Sequence, residues 1–279
     1  MEFIQPNFEI IEQEPGIEGM FKHIEKAARV CYRSEDKITD NSYKHMLEIL
    51  ENKGHFSPLA HGSVYLSVPT EYMPDFWKII GSNNSFYNTI WTETSIDKSD
   101  PKMYWKYYTT NYRVIKELGL EKLLDEYWEE PNELSPKRIT VKVITSSAVA
   151  KEWNRHATSL AICEESTRYC AYNKDKFGGE IKCIEPLWLK EASSETAGLY
   201  INALENAEGA YLDLLSTGIT AQNARGVLPK DIATTVYYTG FVDDWKHIFD
   251  MRCSNAAHPE IRRIMIPLRE EFKNRRYID

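Results

Sequence analysis

The chain has 279 residues, 42% hydrophobic and 27% charged, enough for one large domain or two small ones around a buried core. Its formal net charge of -8 and isoelectric point near 5.5 exclude the broad basic surface of a protein that tracks a nucleic-acid backbone, so no nucleic-acid partner is expected. They leave room for a local basic pocket around a small phosphate.

The opening Met1-Glu-Phe-Ile-Gln-Pro6 shows no basic stretch followed by an apolar one, and no later run has the length a bilayer requires. The expectation is a cytoplasmic chain with no membrane partner. Five cysteines, Cys31, Cys163, Cys170, Cys183 and Cys253, form neither a Cys-x-x-Cys pair nor a zinc-like set with histidine, which predicts reduced thiols and no metal. Cys163 has no base beside it in sequence and reads as a small buried hydrophobe rather than a nucleophile.

Loose alternation over Phe3 to Ile11 predicts a first strand, and helical spacing of apolar residues predicts a helix over Ile17 to Val30 that ends in the polar turn Cys31 to Glu35. Asp40-Asn41 offers a cap for a second helix over Tyr43 to Leu50, stopped before Gly54. In Gly54-His55-Phe-Ser57-Pro58-Leu-Ala-His61-Gly62 the histidines are six apart, a spacing that suits no helical metal pair, so each reads first as a structural hydrogen-bonder. A strand over Val64 to Val68 and a helix over Glu71 to Ile80 follow. Trp91, Tyr104, Trp105, Tyr107, Tyr108, Tyr112, Tyr127 and Trp128 crowd the next stretch. Aliphatics at helical spacing over Val114 to Leu124, with an acidic 125–130, favour helix faces packed on a core over a base-stacking platform.

The β-branched run Ile139 to Ile144 predicts a central strand and Ser147 to Arg155 a helix. Where they give way to a loop, Glu152-Trp-Asn-Arg-His-Ala-Thr-Ser-Leu-Ala-Ile-Cys-Glu-Glu-Ser-Thr-Arg-Tyr169 concentrates Arg155, His156, Glu164, Glu165, Ser166 and Arg168. Such transitions carry sites. If Glu164 to Tyr169 is extended, Glu164, Ser166 and Arg168 share one face, and an arginine fork beside a hydroxyl suits a phosphate; the bland reading is a solvated salt-bridge cluster. A turn at Gly178-Gly179, a short strand over Ile181 to Ile184 and a long helix from a Ser193 cap to about Leu215 come next. A short helix then delivers Arg225 before Pro229, followed by a strand over Ile232 to Thr239, a helix over Asp243 to Arg252 and another opening at Pro259.

The 152–169 stretch resembles the signature of the flavin-dependent thymidylate synthases, normally Arg-His-Arg, seven residues, then Ser, and closely after it Arg-Tyr. Here it reads Arg155-His156-Ala157, eight residues from Thr158 to Glu165, then Ser166-Thr167-Arg168-Tyr169. Ala157 replaces the second arginine, the loop has one extra residue, and Glu152 stands where glutamine is usual. The 55–61 segment is similar to the family's His-x-x-Pro-x-x-His, with Ala60 at a position often acidic. Ala224-Arg225-Gly-Val-Leu228-Pro229 and the helix ending Met251-Arg252 resemble its C-terminal half, though Phe241 and Asp243 replace residues often found near the flavin.

That resemblance implies reductive methylation of deoxyuridylate (dUMP) at ring carbon C5, with 5,10-methylenetetrahydrofolate and NADPH as co-substrates and FAD as cofactor. It places His55, Ser57, Arg155, His156, Glu164 and His247 at the FAD, and Glu152, Arg155, Glu165, Ser166, Arg168, Arg225 and Arg252 at dUMP. Arg252 and Ser166 are the residues it implies for catalysis. It also implies a homotetramer with sites between subunits. The departures keep two rivals in view, a related flavoenzyme with altered nucleotide choice and a silent nucleotide-binding scaffold. Intermixed strands and helices without a Gly-rich phosphate loop predict an α/β fold of the α+β type, a central mostly antiparallel or mixed sheet flanked by helices. A single domain spanning 1–279 is expected, with 82–136 as a family-variable insertion over the site or at a subunit contact.

Overall fold

The computed structural model describes residues 1–69, 91–96, 104–133, 135–173 and 179–279. The helix expected over Glu71 to Ile80 lies outside them, as does Gly178.

Four antiparallel strands form the central sheet: β2 (Asn7–Ile11), β6 (Arg138–Ser146), β9 (Ala233–Phe241) and β7 (Ala161–Glu164), in that order. β6 and β9 pair along their whole length, from Arg138 opposite Phe241 to Ser146 opposite Ala233. Their alternation fits two covered faces. Ile139, Val141, Val143, Val236 and Tyr238 face one core, which is completed by α5 (Ser147–Asn154), α8 (Val242–Arg252) and α9 (Pro259–Asn274). Trp153 of α5 stacks on Tyr238 at 4.4 Å, and Trp245 of α8 meets Trp153 edge-on while its indole N–H donates to the Ile139 carbonyl. Large aromatic burial of this kind stabilises by about 1.5–3 kcal/mol per side chain, and it fixes α5 and α8 to the same strands.

α1 (Gly16–Val30) covers the other face. Met20, Ile24 and Ala28, spaced by four, pack into a second core, while Ala27 and Val30 meet Cys163 and Tyr237 of the central sheet. The second core lies under α2 (Ser42–Asn52) and a smaller antiparallel sheet, β3 (Ser63–Pro69), β5 (Tyr104–Asn111) and β4 (Trp91–Ile96), with α3 (Tyr112–Glu117) and α4 (Lys122–Tyr127). β1 (Glu2–Ile4) pairs in parallel with β8 (Lys182–Ile184), beside α6 (Ser194–Ser216) and α7 (Ala221–Ala224).

Most expected elements are present, and the mostly antiparallel α/β architecture is as read. Four readings change. The first strand is two, interrupted at Pro6, which cannot donate to a ladder. Of the aromatic run, Tyr104, Trp105, Tyr107 and Tyr108 stand on strand β5 rather than on helix faces, as aromatic and Thr-rich sequence favours. The helical spacing of 114–124 is real but divided at Gly119, whose φ of 67° only glycine adopts readily. Asn41 flanks α2 without a side-chain capping bond; Ser42 Oγ instead accepts from the Thr39 N–H.

Candidate active site

α5 starts on a buried cap, Ser146 Oγ accepting the Val149 N–H, and ends by delivering Arg155 and His156. The last turn of α8 brings Arg252 against it. An Arg252 NH2 donates to the Glu152 carbonyl, while Arg252 Nε is buried and has no hydrogen-bond partner among the described residues. Burial lowers the Arg252 pKa, Glu152 opposes and Arg155 adds to the depression. His156 is likewise lowered, by burial first and then by Arg252, His247 and Arg155. Four basic groups from two helices therefore share one neighbourhood. Its carboxylate, Glu152, already sits 3.3 Å from His258 Nδ1 at the start of α9. An unpartnered buried guanidinium N–H amid surplus positive charge is a place for an anionic or carbonyl-bearing ligand.

A second group follows β7. Glu164 ends the strand, its pKa raised by burial against the hydrogen bond from Thr234 Oγ1 at 3.2 Å and the charge of Lys151. Glu165 is only 6% exposed; its N–H continues the sheet to the Thr235 carbonyl, and its carboxylate meets Arg33 Nε at 3.5 Å and Tyr172 OH at 3.3 Å. Burial still raises its pKa, with Arg33 the chief opposing influence. Beyond this point the extended reading fails. Tyr169 N and Cys170 N both donate to the Ser166 carbonyl, so 166–170 is a tight turn and Glu164, Ser166 and Arg168 do not line one strand face. Ser166 Oγ accepts from the Arg168 N–H at 3.3 Å, and among the described residues no imidazole or carboxylate bonds it. α7 supplies the other wall: Gln222 accepts two hydrogen bonds from Arg168, at 3.0 and 2.8 Å, and Arg225 reaches Thr167 at 3.5 Å. Arg168 and Arg225 therefore meet around the turn. This group and the Arg155 group flank β7, whose four residues span about 13 Å.

The segment after α2 supplies a third part. His55 and Ser57 are exposed, and Ser57 opens a single 3₁₀ turn to His61. His61 is buried and structural. Its Nδ1 meets Thr239 Oγ1 at 2.7 Å, Thr239 meets Thr140 Oγ1 at 2.7 Å, and Thr140 meets His23 Nε2 at 2.8 Å. This chain ties the Ser57 segment to β9, β6 and α1. A cavity of about 260 Å³ separates Ser57 from Asn154, Ala157 and Thr158, so the N-terminal segment and the Arg155-His156-Ala157 signature face each other across one space. A larger cavity of about 350 Å³, bordered by Gln13, His23, Tyr65, Glu130 and Arg138, contains none of the expected site residues.

Sequence reading missed the His61-Thr239-Thr140-His23 chain, because it depends on Thr140 standing opposite Thr239 in the strand register. It missed Gln222 too, whose only local sign was its place two residues before Ala224-Arg225. Cys163 is buried against Cys31 with its thiol pKa raised, first by its hydrogen bond to Cys31 and then by burial, which fits the reading of an unreactive core thiol. Among the described residues no cluster of His, Cys, Asp and Glu has the arrangement of a metal site, and no helix is long and apolar enough to cross a membrane.

Among curated proteins, the chain is 28% identical over 141 residues to a flavin-dependent thymidylate synthase of Synechocystis sp., covering 48% of this chain and 65% of that protein. It is 29% identical over 133 residues to the flavin-dependent thymidylate synthase of Thermus thermophilus, covering 46% and 49%, and 29% identical over 149 residues to that of Thermosipho melanesiensis, covering 49% and 63%. The matches thus span about half to two thirds of the relatives' own length. A family model described as thymidylate synthase complementing protein matches residues 109–275, a range that holds β6, α5, the 152–169 stretch, Arg225 and Arg252. Since that match covers more than half of the chain, the protein belongs to the thymidylate synthase complementing protein family.

Proposed function

We propose that this chain is a flavin-dependent thymidylate synthase, which converts dUMP to thymidylate with 5,10-methylenetetrahydrofolate as carbon donor, NADPH as reductant and FAD as cofactor. The observation that carries the reading is the convergence of Arg155, His156, His247 and Arg252, two of them from the family signature and two from its C-terminal half. The orphaned Arg252 Nε and the excess of cations fit phosphate-bearing ligands. FAD, when bound, supplies the redox chemistry and carbon transfer that side chains cannot.

The residues bind, orient and polarise. Arg252 holds positive charge where a uracil carbonyl oxygen accepts it, which enriches C5 in electrons and favours attack by that carbon. Its NH2 bond to the Glu152 carbonyl sets the direction in which the guanidinium points. Arg168 and Arg225, gathered at the 166–170 turn, take the nucleotide phosphate; Glu165 and Ser166 orient the nucleotide from the same turn. Without a neighbouring base, Ser166 acts as a hydrogen-bonding hydroxyl and not as a nucleophile. His55, Ser57, Arg155, His156, Glu164 and His247 hold the flavin.

The separation of the two groups by β7 supports sites assembled between subunits of a homotetramer, in which one chain's Arg155 group meets another's Arg168 turn. A cytoplasmic location and one domain with a variable segment at 82–136 complete the reading; the family match begins at Thr109, inside that segment. Incubation of the purified protein with FAD, NADPH, methylenetetrahydrofolate and dUMP is expected to form thymidylate. Absence of product with all four present contradicts the assignment, and turnover of uridylate or deoxycytidylate in place of dUMP would redirect it to a related flavoenzyme.

A further inference from the structure

The larger cavity, about 350 Å³, is built by segments that the site above does not use. The passage from β2 to α1 lines one side, and β3, the 130–137 stretch and the start of β6 line the others. These walls are pinned to one another. Gln13 exchanges two hydrogen bonds with the backbone of Ser63, donating to its carbonyl at 2.9 Å and accepting its N–H at 2.8 Å. Glu130 Oε1 accepts the Gly16 N–H at 2.7 Å and the Trp128 indole N–H at 2.9 Å, which ties the rim to the start of α1. A pocket held this way needs little reorganisation to receive a ligand.

Two ionised groups that border it lack a counter-ion, and they are opposite in sign. Arg138 gives three hydrogen bonds, to the Ala60 and Thr110 carbonyls and to Ser63 Oγ, all neutral acceptors. That leaves two of the five N–H groups a guanidinium carries, and among the described residues Arg138 forms no ion pair. Burial pushes its pKa down to about 10, with Tyr65 and Asp244 opposing, so it keeps its charge at neutral pH. Glu130, exposed at the rim, takes both of its bonds from neutral donors and likewise forms no ion pair among the described residues. The other rim carboxylates are already matched, Glu12 by Arg275 at 3.0 Å and Glu14 by Lys26 at 3.3 Å, while Lys137 is exposed and solvated. His23 is only 2% exposed; its Nε2 meets Thr140, and its Nδ1 has no partner among the described residues. A buried polar atom left so is costly unless something fills the space beside it. The rest of the lining is largely apolar or aromatic, with Ile10, Ile139, Tyr65 and Tyr277.

We propose that this cavity binds a small aromatic zwitterion, the chemistry of a free aromatic amino acid, with its carboxylate on Arg138 and its ammonium on Glu130. A guanidinium fork matches a carboxylate by paired charge-assisted hydrogen bonds, and an exposed carboxylate takes an ammonium without stripping it of water. The tyrosine and isoleucine walls receive the ring. Neither FAD nor dUMP carries an ammonium group, so the site is separate from the proposed reaction.

The test is isothermal titration calorimetry of the full chain with L-phenylalanine, L-tyrosine and L-tryptophan. Each is compared with its two halves, the arylpropionate that lacks the ammonium and the arylethylamine that lacks the carboxylate. At least one amino acid binds, about tenfold or more tighter than both of its halves. Glu130→Gln, which keeps the oxygen that Gly16 and Trp128 use, erases the advantage over the arylpropionate. Arg138→Gln erases the advantage over the arylethylamine. Binding of none of the three overturns the inference, as does an amino acid that binds both variants as it binds wild type. Displacement by FAD or dUMP also overturns it, since the ligand then occupies the site already described. Arg138 holds two backbone carbonyls as well. Should Arg138→Gln not fold, Glu130→Gln decides alone: an erased advantage supports the site and a retained one overturns it.

Discussion

At the scale of single residues, Arg252 combines an orphaned buried Nε with three further basic groups, Arg155, His156 and His247, in its neighbourhood. Arg275, for comparison, bonds both Glu271 and Glu12 and is spent on structure. Replacing Arg252 by Ala is expected to lower kcat/KM for thymidylate formation at least a hundredfold, about 2.7 kcal/mol, because the lost group acts on developing charge. Circular dichroism should show the fold retained; a variant with near wild-type turnover would remove Arg252 from the chemistry. The buried histidines make a different prediction. Burial, helped by Lys26 and Arg138, pushes His23 down to about 3, and burial, His23 and Arg138 push His61 well below its usual value. Above about pH 6.5 neither the folded nor the unfolded histidine is protonated. Below it the unfolded chain takes up protons that the folded one refuses, so stability declines by about 1.4 kcal/mol per pH unit per histidine, a trend that continues for His23 toward pH 3. Glu164 and Glu165, raised by burial, act in the opposite sense and soften the decline. Denaturant titrations of His23→Gln between pH 4 and 7 should show a shallower slope than wild type; an identical slope means His23 is not held neutral.

At the scale of elements, the site depends on how two helices and one loop are seated on β6 and β9. Ser146→Ala removes the cap of α5 and should cost about 1 kcal/mol of stability, read as a lower denaturation midpoint at constant slope. Gly240 on β9 lies directly under Leu160, and a Cβ there would overlap that buried side chain. Gly240→Ala is therefore expected to destabilise by about 1–3 kcal/mol and, by lifting the 157–160 loop from the sheet, to weaken flavin binding as well. Loss of stability with unchanged flavin affinity would mean that the loop does not border the cofactor. These elements differ in how openly the sequence declares them. The β-branched run of β6, the apolar spacing of α1 and the Ser193 cap of α6 are local patterns, and each is where it was read. The strand β5 was hidden because its aromatic residues alternate weakly and adjoin a helical pattern. The 166–170 turn was hidden because Ser166 N is drawn to the Cys31 carbonyl, a partner 135 residues away in sequence.

At the scale of the whole molecule, the residues that the family motifs lead one to expect at the site are arranged as parts rather than as one finished pocket. Arg155, His156, His247 and Arg252 share one neighbourhood, and Arg168 and Arg225 lie around the 166–170 turn. What the sequence could not disclose is the long-range geometry: Thr140 opposite Thr239, and Ser57 across a cavity from Ala157. The two basic groups on either side of β7 lead to the expectation that sedimentation velocity will show a homotetramer. The thymidylate-forming activity should fall on dilution as that assembly dissociates; a fully active monomer would refute shared sites. The central claim, that one site holds both flavin and dUMP, is tested most directly by the visible absorption of the FAD-loaded protein during anaerobic NADPH addition, with and without dUMP. The account predicts a flavin band that bleaches, and bleaches faster when dUMP is present. A protein that cannot be loaded with FAD, or a band whose reduction ignores the nucleotide, would contradict it.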